Sequence, residues 1–194
     1  MEPLRILKSR TVVLPTRDID TDQIIPARFL TTTTRDGLGD GLFYDLRFSK
    51  DGDEITDFPL NESTAKGCEI LVAGNNFGCG SSREHAAWAL LDYGIRAVIS
   101  TEFADIFSNN ALKNRILPII VNVDTHDWLL ANPGVELVID VEQSTLTLPG
   151  GRVSEYPIDA FARFCLTQGV DQLGYLQQKL DEIKAFEEAR AWKP

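Results

Sequence analysis

The residues of this chain best suited to chemistry lie in one stretch, Gly74-Asn75-Asn76-Phe77-Gly78-Cys79-Gly80-Ser81-Ser82-Arg83-Glu84-His85. Its three glycines permit positive φ and let another group approach the backbone closely. Behind them come two hydroxyls, an arginine, a carboxylate and one of only two histidines. Amides at a helix start, joined by an arginine, attract an anion. The amides of Gly80, Ser81 and Ser82 and the Arg83 guanidinium would form such a pocket with a hydroxyl inside it. A serine hydroxyl is a poor base in water. It becomes one where amides, a cation and a low dielectric stabilise its alkoxide, which suits removal of a proton next to a carboxylate. The same spacing permits a plainer reading. Ser81-x-x-Glu84 matches a capping box, in which Ser81 only satisfies an orphan helix amide and Glu84 reaches back.

Several other chemistries are excluded. No glycine-lysine-serine/threonine follows the glycines, Gly78-x-Gly80-x-x-Arg83 lacks the third glycine of a dinucleotide fingerprint, and Gly-x-Ser-x-Gly is absent. Asp18-Ile19-Asp20-Thr21-Asp22 has the alternating carboxylates of a calcium loop. Gln23 stands where that loop needs glycine and Phe29 where it needs glutamate, so a turn with helix-capping aspartates is expected. Cys68, Cys79 and Cys165 are scattered and odd in number. They offer no disulfide framework, no zinc spacing and no set of cluster ligands, and they suit a reducing compartment. No metal site is expected in this chain.

The elements that must position the glycine turn alternate between strand and helix. Ile70 to Ala73 reads as the strand before it, and Arg83 to Tyr93 as the helix after it. Arg10–Leu14, closed by Pro15, is an earlier strand. Later strands are expected at 96–100, 117–123, 135–141 and 145–148, and helices at 103–112, 125–131 and 158–168. Asp171 to Ala191 carries Leu173, Leu176, Leu180, Ile183 and Phe186 on one stripe, which reads as core-facing, with a partner interface as the alternative. Residues 31 to 62 are the least regular. Their aromatics Phe43, Tyr44 and Phe48 argue against simple disorder, and they either pack on the domain or line a site. Asn61-Glu62-Ser63 is read as a chance sequon.

With 194 residues, 43% apolar and 25% charged, the chain can bury one sizeable core. Its net charge of −10 excludes a general nucleic-acid or anionic-membrane binder. The N-terminus lacks an apolar signal core and no apolar run approaches membrane length, so a cytoplasmic protein is expected. The pattern is that of a single α/β domain over 1–194 with a mixed sheet and C-terminal helices over about 157–191.

The run Phe77 to His85 resembles the signature of the aconitase superfamily's swivel domain, a layered β/β/α fold. With Asp20-Thr21-Asp22-Gln23-Ile24-Ile25-Pro26 and Gly41-Leu42-Phe43-Tyr44-Asp45-Leu46-Arg47-Phe48, the chain resembles the 3-isopropylmalate dehydratase small-subunit branch from about residue 4 to 190. The resemblance implies interconversion of 2- and 3-isopropylmalate, in leucine biosynthesis, by dehydration and rehydration. It implies a separate large subunit, in a heterodimer or heterotetramer, that holds a 4Fe-4S cluster. Ser81 is implied as the base. Ser82 and Arg83 would bind a substrate carboxylate and stabilise the alkoxide, with Asp22 near the site and Arg35 as a substrate arginine. The loop over about 28–48 would then be a substrate-selective lid, with Leu38, Leu42 and Phe43 as apolar contacts. A related diacid hydro-lyase of homoaconitase or citraconate type, or a non-catalytic anion-binding module, is the alternative.

Overall fold

A computed structural model describes residues 3–31 and 34–190. Thr32, Thr33 and Ala191, which the sequence reading included, lie outside the described residues. The central strand β1 (Ile6–Leu14) starts earlier than the Arg10–Leu14 run, and its burial explains why. From Ile6 to Arg10 only alternate residues are buried, whereas Thr11 to Leu14 are buried on both faces. The first half pairs antiparallel with β5 (Glu136–Asp140), Ile6 opposite Asp140. The second half pairs in parallel with β2 (Ile70–Ala73), Thr11 opposite Ile70. A parallel strand needs cover on both faces and therefore reads as a continuous apolar run, while the half-covered part shows charges.

Among the described residues, seven strands form the sheet around β1. β3 (Ala97–Ser100) and β4 (Leu117–Ile120) extend the parallel half. β6 (Thr145–Thr147) and β7 (Val153–Glu155) extend the antiparallel half, and the order is β4-β3-β2-β1-β5-β6-β7. β7 has no sequence signal because it is three residues long and mostly exposed.

Helices cover the sheet. α1 (Thr21–Ile24), α2 (Tyr44–Arg47), α3 (Glu84–Tyr93) and α4 (Asp105–Lys113) enclose one apolar layer, with Val12, Leu14, Leu71, Ala73 and Val98 supplied by the strands. α5 (Val123–Ala131) and α6 (Ala160–Gln168) contribute Leu129 and Leu166 to the other, against Val13, Ile70, Val72, Ile99 and Ile139. Each such aliphatic side chain taken from water stabilises by about 1.5–3 kcal/mol. α5 is capped by Asn122, which accepts from the Thr125 amide, so the helix starts two residues before the expected 125. α6 ends at Gly169, in the left-handed conformation its position predicts.

Residues 34–62 pack as an ordered layer. Arg47, only 9% exposed, donates to Asn61 Oδ1 at 3.0 Å and to the Leu42 carbonyl at 3.3 Å. Asn61 donates back to the Arg47 carbonyl at 2.7 Å, which explains its identity without any sugar. Gly39 lies so close to α3 that a Cβ there would sit 2.7 Å from the Tyr93 nitrogen.

The C-terminal expectation needs correction. The single helix predicted over 171–191 is two, α7 (Gln172–Gln178) and α8 (Leu180–Ala189), divided at Lys179. Its stripe does not face the core: Leu173, Leu176, Leu180 and Phe186 are 64, 52, 49 and 61% exposed. Both apolar layers are closed without it, so periodicity reported a face that needs cover and not the cover itself.

Candidate active site

The glycine turn leaves the carboxyl end of β2, beside the carboxyl end of β1, the edge where open α/β sheets place ligands. Two side chains hold its root. Ser100 Oγ donates to the Gly74 carbonyl at 2.9 Å, and buried His126 places Nε2 at 2.8 Å from the Ala73 carbonyl. A carbonyl can only accept, so this Nε2 carries the proton.

From there the turn is laced to the segment after β1. Asp18 N donates to Asn75 O at 2.9 Å, Gly78 N to Ile19 O at 2.8 Å, and Thr21 N to Cys79 O at 2.9 Å. Asn76 Nδ2 donates to Asp18 Oδ1 at 2.7 Å. On the other side, Phe77 N donates to Glu102 O and Ala104 N to Phe77 O, both at 3.2 Å. Beneath, the Phe77 ring is fully buried among Phe43, Phe103 and Phe107. Gly78 is dictated by this packing. Its φ is +77°, and a Cβ would lie 2.2 Å from Cγ of Phe107.

The expected aspartate cap is present in α1. Asp20 accepts from Gln23 N at 2.7 Å while Gln23 Oε1 accepts from Asp20 N at 2.9 Å, a reciprocal capping box. At the second helix the capping reading fails. α3 begins at Glu84, and its cap residue is Arg83, whose side chain makes no capping bond. Ser81 lies two residues further out, exposed, with its carbonyl held by Thr21 Oγ1 at 2.8 Å. The Glu84 carboxylate turns the other way and accepts from Asn114 Nδ2 at 3.0 Å.

Arg83 and Asp22 meet as an ion pair. Nη1 of Arg83 is buried and makes this charge contact outside hydrogen-bond geometry. The Arg83 side chain is 17% exposed and that of Asp22 52%. The neighbouring thiol of Cys79 is pushed up by burial first, and then by Asp20 and Asp18, so it stays protonated. Its Sγ lies 3.4 Å from the Asp18 carbonyl, in the role of a small residue within a tight turn. Among the described residues, no three His, Cys, Asp or Glu side chains gather as a metal-ligating set, and no helix is long and apolar enough to cross a membrane.

The structure thus brings Asp22, Gly80, Ser81, Ser82 and Arg83 into one region. Arg35 stands on an exposed part of the loop, its guanidinium 5.4 Å over the Trp88 ring of α3. Leu38, Leu42 and Phe43 are packed inward in this chain. They are 3, 0 and 0% exposed, part of the same apolar layer as Phe77, so they support the loop from below. Sequence reasoning missed Ser100, His126, Trp88 and Asn114, which carry no local motif and reach the turn only through the fold, and gave no role to Thr21 within its motif.

The Aconitase C-terminal domain model matches residues 1–123, which places the chain in that class. A 3-isopropylmalate dehydratase small subunit from Anaeromyxobacter dehalogenans is 58% identical over 98% of this chain and 100% of its own length. One from Roseiflexus castenholzii is 52% identical, over 97% and 95%. The crystal structure of 3-isopropylmalate dehydratase from Methanocaldococcus jannaschii superposes with a TM-score of 0.69 at 32% identity, covering 93% of this chain and 99% of that one. The chain belongs to the family of 3-isopropylmalate dehydratase small subunits.

Proposed function

We propose that this chain supplies half of the active site of a cytoplasmic hydro-lyase that interconverts 2-isopropylmalate and 3-isopropylmalate. The other half belongs to a large subunit with a 4Fe-4S cluster. That cluster supplies a Lewis acid for the departing hydroxyl. The observation that carries the reading is the Asp22–Arg83 ion pair beside Ser81, whose hydroxyl caps no helix, near the carboxyl ends of β1 and β2. Ser81 Oγ takes the proton from the carbon next to a substrate carboxylate and returns it on rehydration. The Arg83 guanidinium and the amides of Gly80, Ser81 and Ser82 stabilise the alkoxide, and the Ser82 hydroxyl and Arg83 also hold that carboxylate. Asp22 orients Arg83 through their ion pair. Arg35 binds the substrate's second carboxylate from the loop, with Trp88 as its platform.

Replacement of Ser81 by Ala in the reconstituted two-subunit enzyme tests this. Turnover is expected to fall about a thousandfold or more, with the complex still formed. Near-normal turnover would remove Ser81 as the base.

A further inference from the structure

Ser81 and Glu84 have the spacing of a capping box, yet the box is open. In the closed alternative α3 would start two residues earlier, at Ser82, with Ser81 as its cap. The serine hydroxyl would then accept from the Glu84 amide, and the Glu84 carboxylate would reach back to the Ser81 amide. That state would occupy both the hydroxyl and one of the amides that the anion pocket uses. Released from the box but otherwise free, Glu84 would stand next to Arg83 and compete with a substrate carboxylate.

In the structure Asn114 holds the Glu84 carboxylate instead. It is 1% exposed and follows the last turn of α4, where Asn114 N donates to Asn110 O at 3.1 Å. The next residue, Arg115, adopts φ +66° and turns the chain toward β4, with Ile116 N bonded to Ala111 O at 2.9 Å. The orientation of the Asn114 amide is dictated chemically. Trp88 Nε1 is a donor only and lies 2.8 Å from Asn114 Oδ1, so Nδ2 faces Glu84 Oε1 at 3.0 Å and the Asn110 carbonyl at 2.9 Å. An amide alone satisfies all three partners here. A carboxylate would keep Trp88 and repel Glu84, and an apolar side chain would serve neither.

We infer that Asn114 is a positioning residue that holds Glu84 out of the anion pocket, so that α3 starts at Glu84 and the Ser81 hydroxyl remains free to react. The inference rests on Ser81 being the base, and its test separates the two.

The test uses the reconstituted two-subunit enzyme with Asn114→Asp, which keeps the Trp88 bond and loses the Glu84 bond. Asn114→Ala serves as the uncharged second variant. Turnover is expected to fall about tenfold, the loss produced when roughly nine molecules in ten occupy the closed box. Adding Glu84→Ala to either variant is expected to restore turnover to within about twofold of the parent, because no carboxylate is left to close the box. Amide exchange at Ser81 and Glu84 is expected to slow in Asn114→Asp and return at Ser81 with Glu84→Ala. Unchanged turnover in both single variants overturns the inference. So does a loss that Glu84→Ala fails to restore in a chain with the parental melting temperature. Ser81→Ala assayed alongside distinguishes the failures. Activity in that variant overturns the base, whereas an inert Ser81→Ala beside fully active Asn114 variants overturns only the role of Asn114.

Discussion

The turn at residues 74–85 and the helices α7 and α8 are both read from strong local patterns, and the tertiary structure treats them in opposite ways. In the turn, the local capping signal at Ser81 and Glu84 is not realised: Thr21 of α1 holds the Ser81 carbonyl and Asn114, just after α4, holds the Glu84 carboxylate. In the C-terminal helices the local pattern is obeyed, since both helices form, but among the described residues Leu173, Leu176, Leu180 and Phe186 of their stripe stay about half exposed or more. A pattern therefore states what a segment can do alone. Whether it does so depends on partners that are distant in sequence, or absent from the chain.

The comparison is broken most directly by removing charge geometry from the turn. Arg83→Lys keeps the charge but loses the planar fork, and kcat/KM of the reconstituted enzyme is expected to fall about a hundredfold. A drop of threefold or less would mean that a point charge suffices. Packing beneath the turn comes next. Gly78→Ala places a methyl against Phe107 at positive φ, so a loss of about 1–3 kcal/mol is expected in urea unfolding of the isolated chain. The helices should behave in the opposite way. Leu180→Ala and Phe186→Ala, at half-exposed or freer positions, are each expected within about 0.5 kcal/mol of the parent in the same assay. A loss like that of Gly78→Ala would show the stripe to be covered in solution.

The smallest effect concerns Asp45, hydrogen-bonded to Arg28 with Arg28 Nη1 to Oδ2 at 3.0 Å. The bond to Arg28 holds its carboxyl below the usual carboxylate range. Its contribution is present above the unfolded value and disappears as pH falls through the folded one. Asp45→Asn should therefore lie slightly below the parent in melting temperature at neutral pH and converge with it in strong acid. A constant offset at all pH values would contradict this.

Much of the fold is legible in the residues. The run Ile70–Ala73, the Asp20 cap, the Gly169 stop and the apolar faces of α3 and α4 each follow from local chemistry. The candidate site is legible as a motif, and the start of α3 is not. Nothing near Ser81 records that Asn114, thirty residues beyond Glu84, will take its carboxylate. The burial of Leu38, Leu42 and Phe43 is not legible for a related reason. An apolar residue in a loop of polar neighbours suggests a ligand contact, but here the loop itself is a layer of the core.

The two pairings of β1 also bear on the order of assembly. Synthesis releases β1 first, but its parallel partner begins only at Ile70 and its antiparallel partner only at Glu136. Folding must therefore wait on contacts distant along the chain, which slows it and leaves an unpaired apolar strand on the nascent protein. The exposed cations Lys8 and Arg10 interrupt that strand and discourage pairing with other chains. Lys8 keeps this guard until β5 arrives, when its ammonium pairs with Glu136 at 3.0 Å.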